Sequence, residues 1–321
     1  MAVFAGKSCT EIPDAVPSDA GIAGAGVLLS STITASVALL ISGSLIFQDV
    51  TASRSSSSPS QSRKNPSVIR RKLLNGYSDQ QILVGIGLQS VGLVTANRIV
   101  PYHFFLIWMM ALLSMATHNA ALLTLVHDFK RDWVLRWMRQ LLMLANLALS
   151  CVYGVYILQS KIKDLPDTLP IACVWTWEPE PDADTAPRGL GGLDVVGTIV
   201  AMAGNVVIFG LATWYLQSRR QKYFRAVQVG GLVLMSGIAV GAMTRAYLLS
   251  QAFGKPDVKL SDEGEKTWSF GQLLGMLMLV LPVISVIEIM RGEVSVAPPV
   301  PDDGDDREPL VVQEMVAGGK V

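Results

Sequence analysis

The feature that most constrains this chain is a series of long segments with almost no charged residues. Each is close to the roughly 20 residues with which an α-helix crosses about 30 Å of hydrocarbon. Because lipid offers backbone N–H and C=O groups no hydrogen-bonding partner, such segments must be helical. The sequence therefore predicts an all-α polytopic membrane protein, a bundle of seven transmembrane helices within residues 21–290. The predicted spans are about 21–47, 80–97, 103–127, 140–159, 193–217, 226–250 and 268–290.

Composition supports a membrane protein and excludes several other classes. Charged residues make up 16% of the chain, whereas soluble proteins contain about 25%. This deficit excludes a disordered chain and a nucleic-acid-binding domain with a basic face. Three cysteines are too few for a disulfide-dense secreted scaffold. Residues 1–20 lack the apolar core of a signal peptide, so we expect them to form an extracellular N-terminal segment.

The distribution of lysine and arginine predicts the orientation of the helices. Cytoplasmic loops of membrane proteins are enriched in these residues. The short basic loops 128–139 and 218–225 lie on one side of the predicted membrane, together with segment 48–79 and the C-terminal region. The N-terminus is therefore expected outside and the C-terminus in the cytosol, with the plasma membrane as the default location. Residues 291–321 are rich in proline and aspartate and are predicted to form a disordered acidic tail.

Two cytosolic segments, 48–79 and 291–321, are the predicted contact sites for cytosolic proteins. The lipid bilayer is the other predicted partner, and no nucleic acid is expected. Residues 51–62 are mostly serine and precede a run of basic residues. One interpretation is a solvated linker with ordinary positive-inside charge. The other is an electrostatic switch, in which the basic residues bind anionic lipid until phosphorylation of the serines releases them.

The predicted topology makes two of the three cysteines informative. Cys9 lies on the N-terminal segment and Cys173 on the long loop after the fourth span, and both are expected outside. A disulfide between them would hold this loop over the bundle, because the outer side of a cell is oxidising. The alternative is that both cysteines are unpaired.

Four polar residues inside the predicted spans are candidate binding residues: His118, Asn119, Asn205 and Gln89. Polar side chains are costly in the bilayer interior and commonly mark functional sites. His118 shares a face of the third span with Ser114, one turn earlier. It could relay protons or hold a ligand. It could equally be a hydrogen-bonding strut between helices, worth about 1 kcal/mol.

Charged residues are rare inside the predicted spans. Arg245 lies near the outer end of the sixth span, and Asp194 begins the fifth span on the same side of the membrane. A structural ion pair between them is one hypothesis, and the other is that Arg245 extends to the interface. The three histidines are too far apart for a metal site, so we predict neither a metal nor a cofactor.

Known catalytic motifs are absent from the sequence. It contains no phosphate-binding G-x-x-x-x-G-K-[ST], no zinc-binding H-E-x-x-H and no G-x-S-x-G. The carboxylates of Asp194 and Glu288 are expected at opposite membrane faces, where they cannot share acid–base chemistry. No catalytic residue is therefore predicted.

Three segments carry a resemblance to a known family: GYSDQQILVGIGLQS (76–90), PYHFFLIWMMALLSMATHNAALLTLVHDF (101–129) and KRDWVLRWMRQLLMLANLALSCVYG (130–154). Over roughly residues 20–290 the chain resembles a large family of uncharacterised fungal multi-pass membrane proteins. The strongest part is the third span with the basic loop that follows it. The resemblance implies a fungal integral membrane protein, and the family has no established activity to transfer.

Three functions are compatible with these features. The first is a non-enzymatic receptor-like or accessory membrane protein, with loops covering its outer face and a regulated cytosolic face. The second is a membrane enzyme or permease for a small apolar metabolite, with His118 and Asn205 facing a central pocket. The third is a structural membrane organiser. Packing discriminates among them, because an open polar cavity favours the second and a tightly filled core favours the third.

Overall fold

The computed structural model describes residues 9–52, 64–130, 133–178, 191–217 and 223–291. These residues form an all-helical protein without β-strands, apart from an isolated bridge between Val16 and Leu260. In the described part of the chain the α-helices are, in order, α1 (Ala20–Ala23), α2 (Ala25–Ala52), α3 (Lys64–Val94), α4 (Pro101–Thr124), α5 (Val126–Lys130), α6 (Trp133–Ile162), α7 (Gly191–Gln217), α8 (Phe224–Leu249), α9 (Phe270–Met278) and α10 (Leu281–Met290). Short 3-10 helices at Ile171–Trp175 and Gly264–Lys266 lie in the connections.

Six helical segments among the described residues are long and apolar enough to cross a membrane, which supports a membrane-embedded protein. Each overlaps one of the predicted spans. They are Ala20–Thr51, Pro101–Thr124, Arg136–Ile162, Val195–Gln217, Phe224–Leu249 and Gly264–Met290.

The predicted second span, 80–97, is the exception. Its residues belong to α3, which begins at Lys64, well before residue 80, and ends at Val94. Charged and amide side chains, among them Arg71, Asp79 and Gln81, interrupt the apolar sequence of α3. For this reason α3 does not qualify by length and composition alone, although it is one of the longest helices described.

Helix α4 lies at the centre of the bundle. It packs against α2, α3, α6, α7 and α8, and the whole 18-residue apolar window within it is buried. Pro101 occupies its first turn, where the missing N–H has no intrahelical partner to lose. Alanines at positions such as 116, 120 and 121 are fully or almost fully buried, and small residues let neighbouring helices approach closely.

A buried glutamine joins the first helices to α9. Gln272 is fully buried, and its Oε1 accepts a hydrogen bond from the Gly26 backbone N–H at 3.0 Å. Its Nε2 donates to the Ala20 carbonyl oxygen at 3.3 Å. Gly24, which separates α1 from α2, leaves the space for this amide, because a Cβ there would overlap it. The start of the bundle is therefore fixed to the start of α9.

Proline divides the last predicted span, 268–290, into two helices. Pro282 has no N–H to donate to the carbonyl oxygen of Met278, so the regular hydrogen-bonding pattern stops there. Helix α9 ends at Met278, and α10 begins at Leu281. Pro282 packs against Gly76 of α3, where a Cβ would lie 3.1 Å from the proline Cβ.

Candidate functional site

The candidate binding residues lie inside the bundle. His118, Asn119 and Gln89 are fully buried, and Asn205 is 1% exposed. Helix α3 provides Gln89, α4 provides His118 and Asn119, and α7 provides Asn205. Without water, each of these side chains depends on its protein neighbours for hydrogen bonds.

His118 belongs to a hydrogen-bonded group with Asn146 of α6. Asn146 Nδ2 lies 3.0 Å from His118 Nε2 and 3.2 Å from Ser114 Oγ. Because an amide N–H only donates, His118 Nε2 is the accepting nitrogen and the ring proton lies on Nδ1. His118 Nδ1 is buried without a hydrogen-bond partner among the described residues. The ring is therefore neutral, and its accepting nitrogen serves the contact between α4 and α6.

Gln89 extends this group to α3. Its Nε2 donates to Asn146 Oδ1 and, at 3.0 Å, to the Gly85 carbonyl oxygen. The Tyr153 hydroxyl of α6 donates to the Gln89 carbonyl oxygen at 2.9 Å. The result is a connected set of side chains from three helices. We call it the central network, and it consists of Gln89, Ser114, His118, Asn146 and Tyr153.

Asn119 and Asn205 form a second, separate pair. Asn119 Nδ2 donates to Asn205 Oδ1 at 3.2 Å, and Asn205 Nδ2 donates to the Ala201 carbonyl oxygen at 2.9 Å. Consecutive residues of an α-helix point about 100° apart. His118 accordingly contacts α6, whereas Asn119 contacts α7. The four candidate residues are thus divided between two hydrogen-bonded groups.

A cleft of about 180 Å³ lies between α2, α3 and α9. None of the four candidate residues lines it. Their amide nitrogens and His118 Nε2 instead contact one another and nearby backbone, which is the arrangement expected of struts between helices. Gln89 Oε1, His118 Nδ1 and Asn119 Oδ1 are buried without a hydrogen-bond partner among the described residues. The cleft has its own polar lining, described further below.

Cys9 and Cys173 are joined by a disulfide, with their Cα atoms 5.7 Å apart. Of the two alternatives that the sequence left open, the structure contains the bonded pair. Cys173 lies in the 3-10 helix Ile171–Trp175, and the Ile171 N–H donates to the Ile99 carbonyl oxygen at 2.8 Å. The disulfide therefore attaches the N-terminal segment to a turn packed beside the start of α4.

Several predicted features lie outside the described residues. The ion pair between Asp194 and Arg245 is one of them, because the side chain of Asp194 is not described. Arg245 is half-buried on α8 and takes part in interactions there. The serine-rich part of segment 48–79 and the tail 292–321 are likewise not described, so these features stay predictions.

A buried cluster around Glu265, at the start of α4, was not predicted from the sequence. Glu265 is fully buried; its Oε1 lies 2.8 Å from His103 Nε2, and its Oε2 accepts a hydrogen bond from the Tyr102 hydroxyl at 2.7 Å. The Tyr102 oxygen in turn accepts a hydrogen bond from the Gln251 backbone N–H at 2.9 Å. We call Tyr102, His103, Gln251 and Glu265 the cap cluster. Its hydrogen bonds hold the connection between α8 and α9 against the start of α4.

No sequence pattern marks the cap cluster. Glu265 and His103 are 162 residues apart, and a glutamate in a loop is ordinarily exposed. The available signal was the Tyr102–His103 pair at the start of an uncharged span, which suggests an interfacial aromatic and leaves the partner of the histidine unknown.

Basic residues at the opposite end of the bundle are also paired. Arg71 of α3 lies 3.0 Å from Asp128 and 3.8 Å from Asp49, and Arg139 of α6 lies 2.7 Å from Asp79. Part of segment 48–79, for which a solvated linker and an electrostatic switch were the two interpretations, therefore belongs to α3. Its Arg71 connects helices, and so differs from the solvated or lipid-bound cation that the sequence suggested.

Among the described residues, no group of three or more His, Cys, Asp and Glu side chains is placed to hold a metal ion. Comparison with protein-family models, with curated proteins and with solved structures finds no match for this chain. Inferences about function therefore rest on the central network, the cap cluster and the cleft.

Proposed function

We propose that this chain is a non-enzymatic, seven-span membrane protein of receptor-like or accessory type, with its N-terminus outside and its C-terminus in the cytosol. Helix α3 supplies the additional span. Its 31 residues measure about 46 Å at ~1.5 Å per residue, which exceeds the ~30 Å of hydrocarbon. Its buried polar residues Gln81 and Gln89 donate hydrogen bonds to protein groups, so they do not prevent it from crossing lipid. Location in the plasma membrane and kinship with fungal membrane proteins belong to the same proposal.

The observation that carries the proposal is the position of α4, which is hydrogen-bonded at both ends and in the middle. Tyr102 binds Glu265 at its start, and His118 lies in the central network. Near its end, Gln228 Nε2 of α8 donates to the Leu123 carbonyl oxygen at 2.9 Å. A packed interior changes between discrete arrangements and does not deform continuously. A helix that is hydrogen-bonded to its neighbours near both ends is therefore suited to transmit a structural change from one membrane face to the other.

Two further features favour a non-enzymatic role. The four candidate binding residues hydrogen-bond to groups of neighbouring helices or backbone, and the end of the bundle at the start of α4 carries both a disulfide and the cap cluster. On the cytosolic side, segment 48–79 and tail 291–321 provide the proposed contacts with cytosolic proteins. The close packing around His118 also favours the structural-organiser alternative, which needs no cytosolic partner.

The test uses the full chain in the cells that produce it. A photoreactive amino acid is introduced singly at positions 60 and 310, on the proposed cytosolic segments, and at position 257 as an outer control. Metabolites of cells and medium are profiled in parallel in a strain that lacks the protein. A receptor-like or accessory protein should cross-link one defined cytosolic protein from positions 60 or 310 only, and its loss should leave metabolite levels unchanged.

Three results would contradict the proposal. Accumulation of a precursor in the deletion strain would indicate an enzyme. A finished product trapped inside the cells would indicate a permease. Cross-linking to membrane proteins alone, with no cytosolic partner, would favour a structural organiser.

A further inference from the structure

The cleft between α2, α3 and α9 combines polar groups with a complete lack of charge. Of the twelve residues that border it, five carry hydroxyl or amide groups and none is Asp, Glu, Lys or Arg. The polar five are Ser30, Ser31, Thr34, Gln80 and Gln81. A phosphate, carboxylate or ammonium group would find no countercharge here, and charge without a partner is costly at membrane depth.

Several polar groups of the cleft have unused hydrogen-bonding capacity. Gln80 Oε1 is buried and accepts no hydrogen bond from the described residues. Ser31 is 3% exposed, and its hydroxyl-bearing side chain borders the cleft. Gln81 donates through Nε2 to the Ser31 carbonyl oxygen at 3.3 Å, which leaves its Oε1 as an acceptor. Buried polar groups without partners are costly, so a ligand group that both donates and accepts would be stabilised here.

The surroundings of the cleft indicate where its ligand comes from. Two apolar residues that border the cleft, Val84 of α3 and Met278 of α9, are 38% and 36% exposed. In a membrane protein such exposed apolar side chains face acyl chains. The cleft therefore opens towards lipid, and a ligand reaches it from within the bilayer.

The depth and size of the cleft limit which part of a lipid it holds. Gly271 is the second residue of α9 and Ser30 lies in the second turn of α2, whereas Gln80 and Gln81 lie near the middle of α3. The cleft therefore extends from the ends of two helices towards the middle of the bundle. Its volume of about 180 Å³ is below the ~300–1,000 Å³ of pockets that enclose whole ligands. It has room for a head group and the first carbons. The remainder of the molecule would lie along the helices.

We propose that this cleft binds the head of an uncharged, hydroxyl-bearing membrane lipid. A hydroxyl matches the cleft because it donates to the carbonyl oxygens of Gln80 or Gln81 and accepts from Ser31. A 3β-hydroxysterol and a diacylglycerol share this chemistry. The site does not depend on the receptor-like function proposed above, since it would equally serve a structural membrane protein.

Glycine substitutions provide a clean variant and a matched control. Gly271 borders the cleft and a Cβ there meets no atom within 4 Å, so Gly271→Leu adds a side chain at the edge of the cleft without a steric clash. Gly237 of α8 also has nothing within 4 Å but lies away from the cleft, so Gly237→Leu makes the same change elsewhere. Gln80→Leu removes a polar group of the cleft without filling it. Retention of the Cys9–Cys173 disulfide and of thermal stability shows that each variant folds.

The experiment uses the purified full chain in phosphatidylcholine vesicles. Photoactivatable 3β-hydroxysterol, diacylglycerol and phosphatidic acid are added in separate samples, and labelled peptides are mapped by mass spectrometry. One or both hydroxyl lipids should label peptides within 27–34, 80–88 or 271–278, and the lipid that does so identifies the source. Labelling should fall about tenfold in Gly271→Leu and in Gln80→Leu, which corresponds to the loss of one such contact. It should be unchanged in Gly237→Leu.

Two outcomes would overturn the proposal. One is equal labelling of these peptides in wild type and in both cleft variants, including the case in which no lipid labels them. The other is labelling by phosphatidic acid as strong as labelling by the hydroxyl lipids, because the site would then lack the predicted selectivity against charge.

Discussion

The central helix α4 and the last span, Gly264–Met290, are opposites in burial and in composition. The apolar window of α4 is completely buried and has a mean hydropathy of 1.5, whereas that of the last span is 11% buried and has a mean hydropathy of 2.5. In a water-soluble protein the more apolar helix would be the more buried one. Lipid is as apolar as a protein core, so polar side chains, which need partners, collect inside. In this protein the helix whose polar side chains need hydrogen-bonding partners is the one that is buried.

The two regions are therefore stabilised by different interactions. Helix α4 is held by buried hydrogen bonds and close approach of small residues, so small changes there should be costly. Most positions of the last span present apolar surface to lipid, so changes at its exposed positions should be tolerated, whereas its buried Glu265 and Gln272 are held by hydrogen bonds. The same contrast separates buried, hydrogen-bonded positions from exposed ones throughout the bundle. The following variants test it by the free energy of unfolding of the purified chain in mixed micelles, from the largest expected effect to the smallest.

Asn146→Leu should have the largest effect, because it removes the residue that joins three members of the central network. Gln89, Ser114 and His118 each lose a hydrogen bond. We expect a loss of about 3 kcal/mol, given ~0.6 kcal/mol for an average membrane hydrogen bond and ~1–3 kcal/mol for leaving buried groups unpaired. Leu144→Ala, at an exposed position of the same helix, is the control. Equal stability of the two variants would contradict a network that holds the helices.

Glu265→Gln tests the connection between the two regions, because the cap cluster joins the segment before α9 to the start of α4. The substitution keeps the size of the side chain and removes its charge, which weakens the bonds from Tyr102 and His103. We expect a loss of about 2 kcal/mol, typical of hydrogen bonds to charged groups. Glu263→Gln, on an exposed neighbour, should change stability by less than ~0.5 kcal/mol. A loss as small as this in Glu265→Gln would show that the cap cluster is not stabilising.

Gly85→Ala compares crowding inside the bundle with open space outside it. A Cβ at Gly85 would lie 2.6 Å from Ser114 Oγ and 2.9 Å from Asn146 Oδ1, so it would push into the central network. We expect a loss of about 1–2 kcal/mol from overpacking. Gly87→Ala, two residues along the same helix, meets no atom within 4 Å and should be neutral or stabilising by up to ~1 kcal/mol. The prediction fails if Gly85→Ala is tolerated as well as Gly87→Ala.

Asp262→Asn should have the smallest effect, because Asp262 is exposed. Hydrogen bonds from the side chain and the backbone N–H of Ser18 lower the pKa of Asp262 below its ordinary value. A carboxyl with a lowered pKa in the folded state stabilises above its unfolded pKa, and this contribution disappears as pH falls through the folded pKa. The variant should therefore melt slightly lower than wild type at pH 7 and equally below the folded pKa. A difference in melting temperature that grows on acidification would have the wrong sign.

The same contrast explains how much of the fold was predictable. The six apolar segments were found because lipid-facing surfaces must be apolar over about 20 residues. Helix α3 was placed too late, beginning at 80 and not at Lys64, because Arg71 and Asp79 are satisfied by Asp128 and Arg139, and such distant pairs leave no local pattern.

The site was predictable only in part, for a related reason. A polar residue in a span, such as His118, is visible in the sequence, but its partner Asn146 lies on another helix and is not. Glu265 gave no signal, because a loop carboxylate becomes buried only when His103 and Tyr102 meet it in the folded protein. Sequence therefore identifies which residues need partners, and only the packing supplies the partners.

Whether α3 crosses the membrane decides between seven spans and six, and the two termini report it directly. An odd number of spans puts them on opposite sides of the membrane, and an even number puts them on the same side. We would attach one epitope to each terminus and stain intact and permeabilised cells. Staining of the N-terminal epitope in intact cells, and of the C-terminal epitope only after permeabilisation, is the predicted result. Both epitopes on the same side would contradict the seven-span bundle around α4.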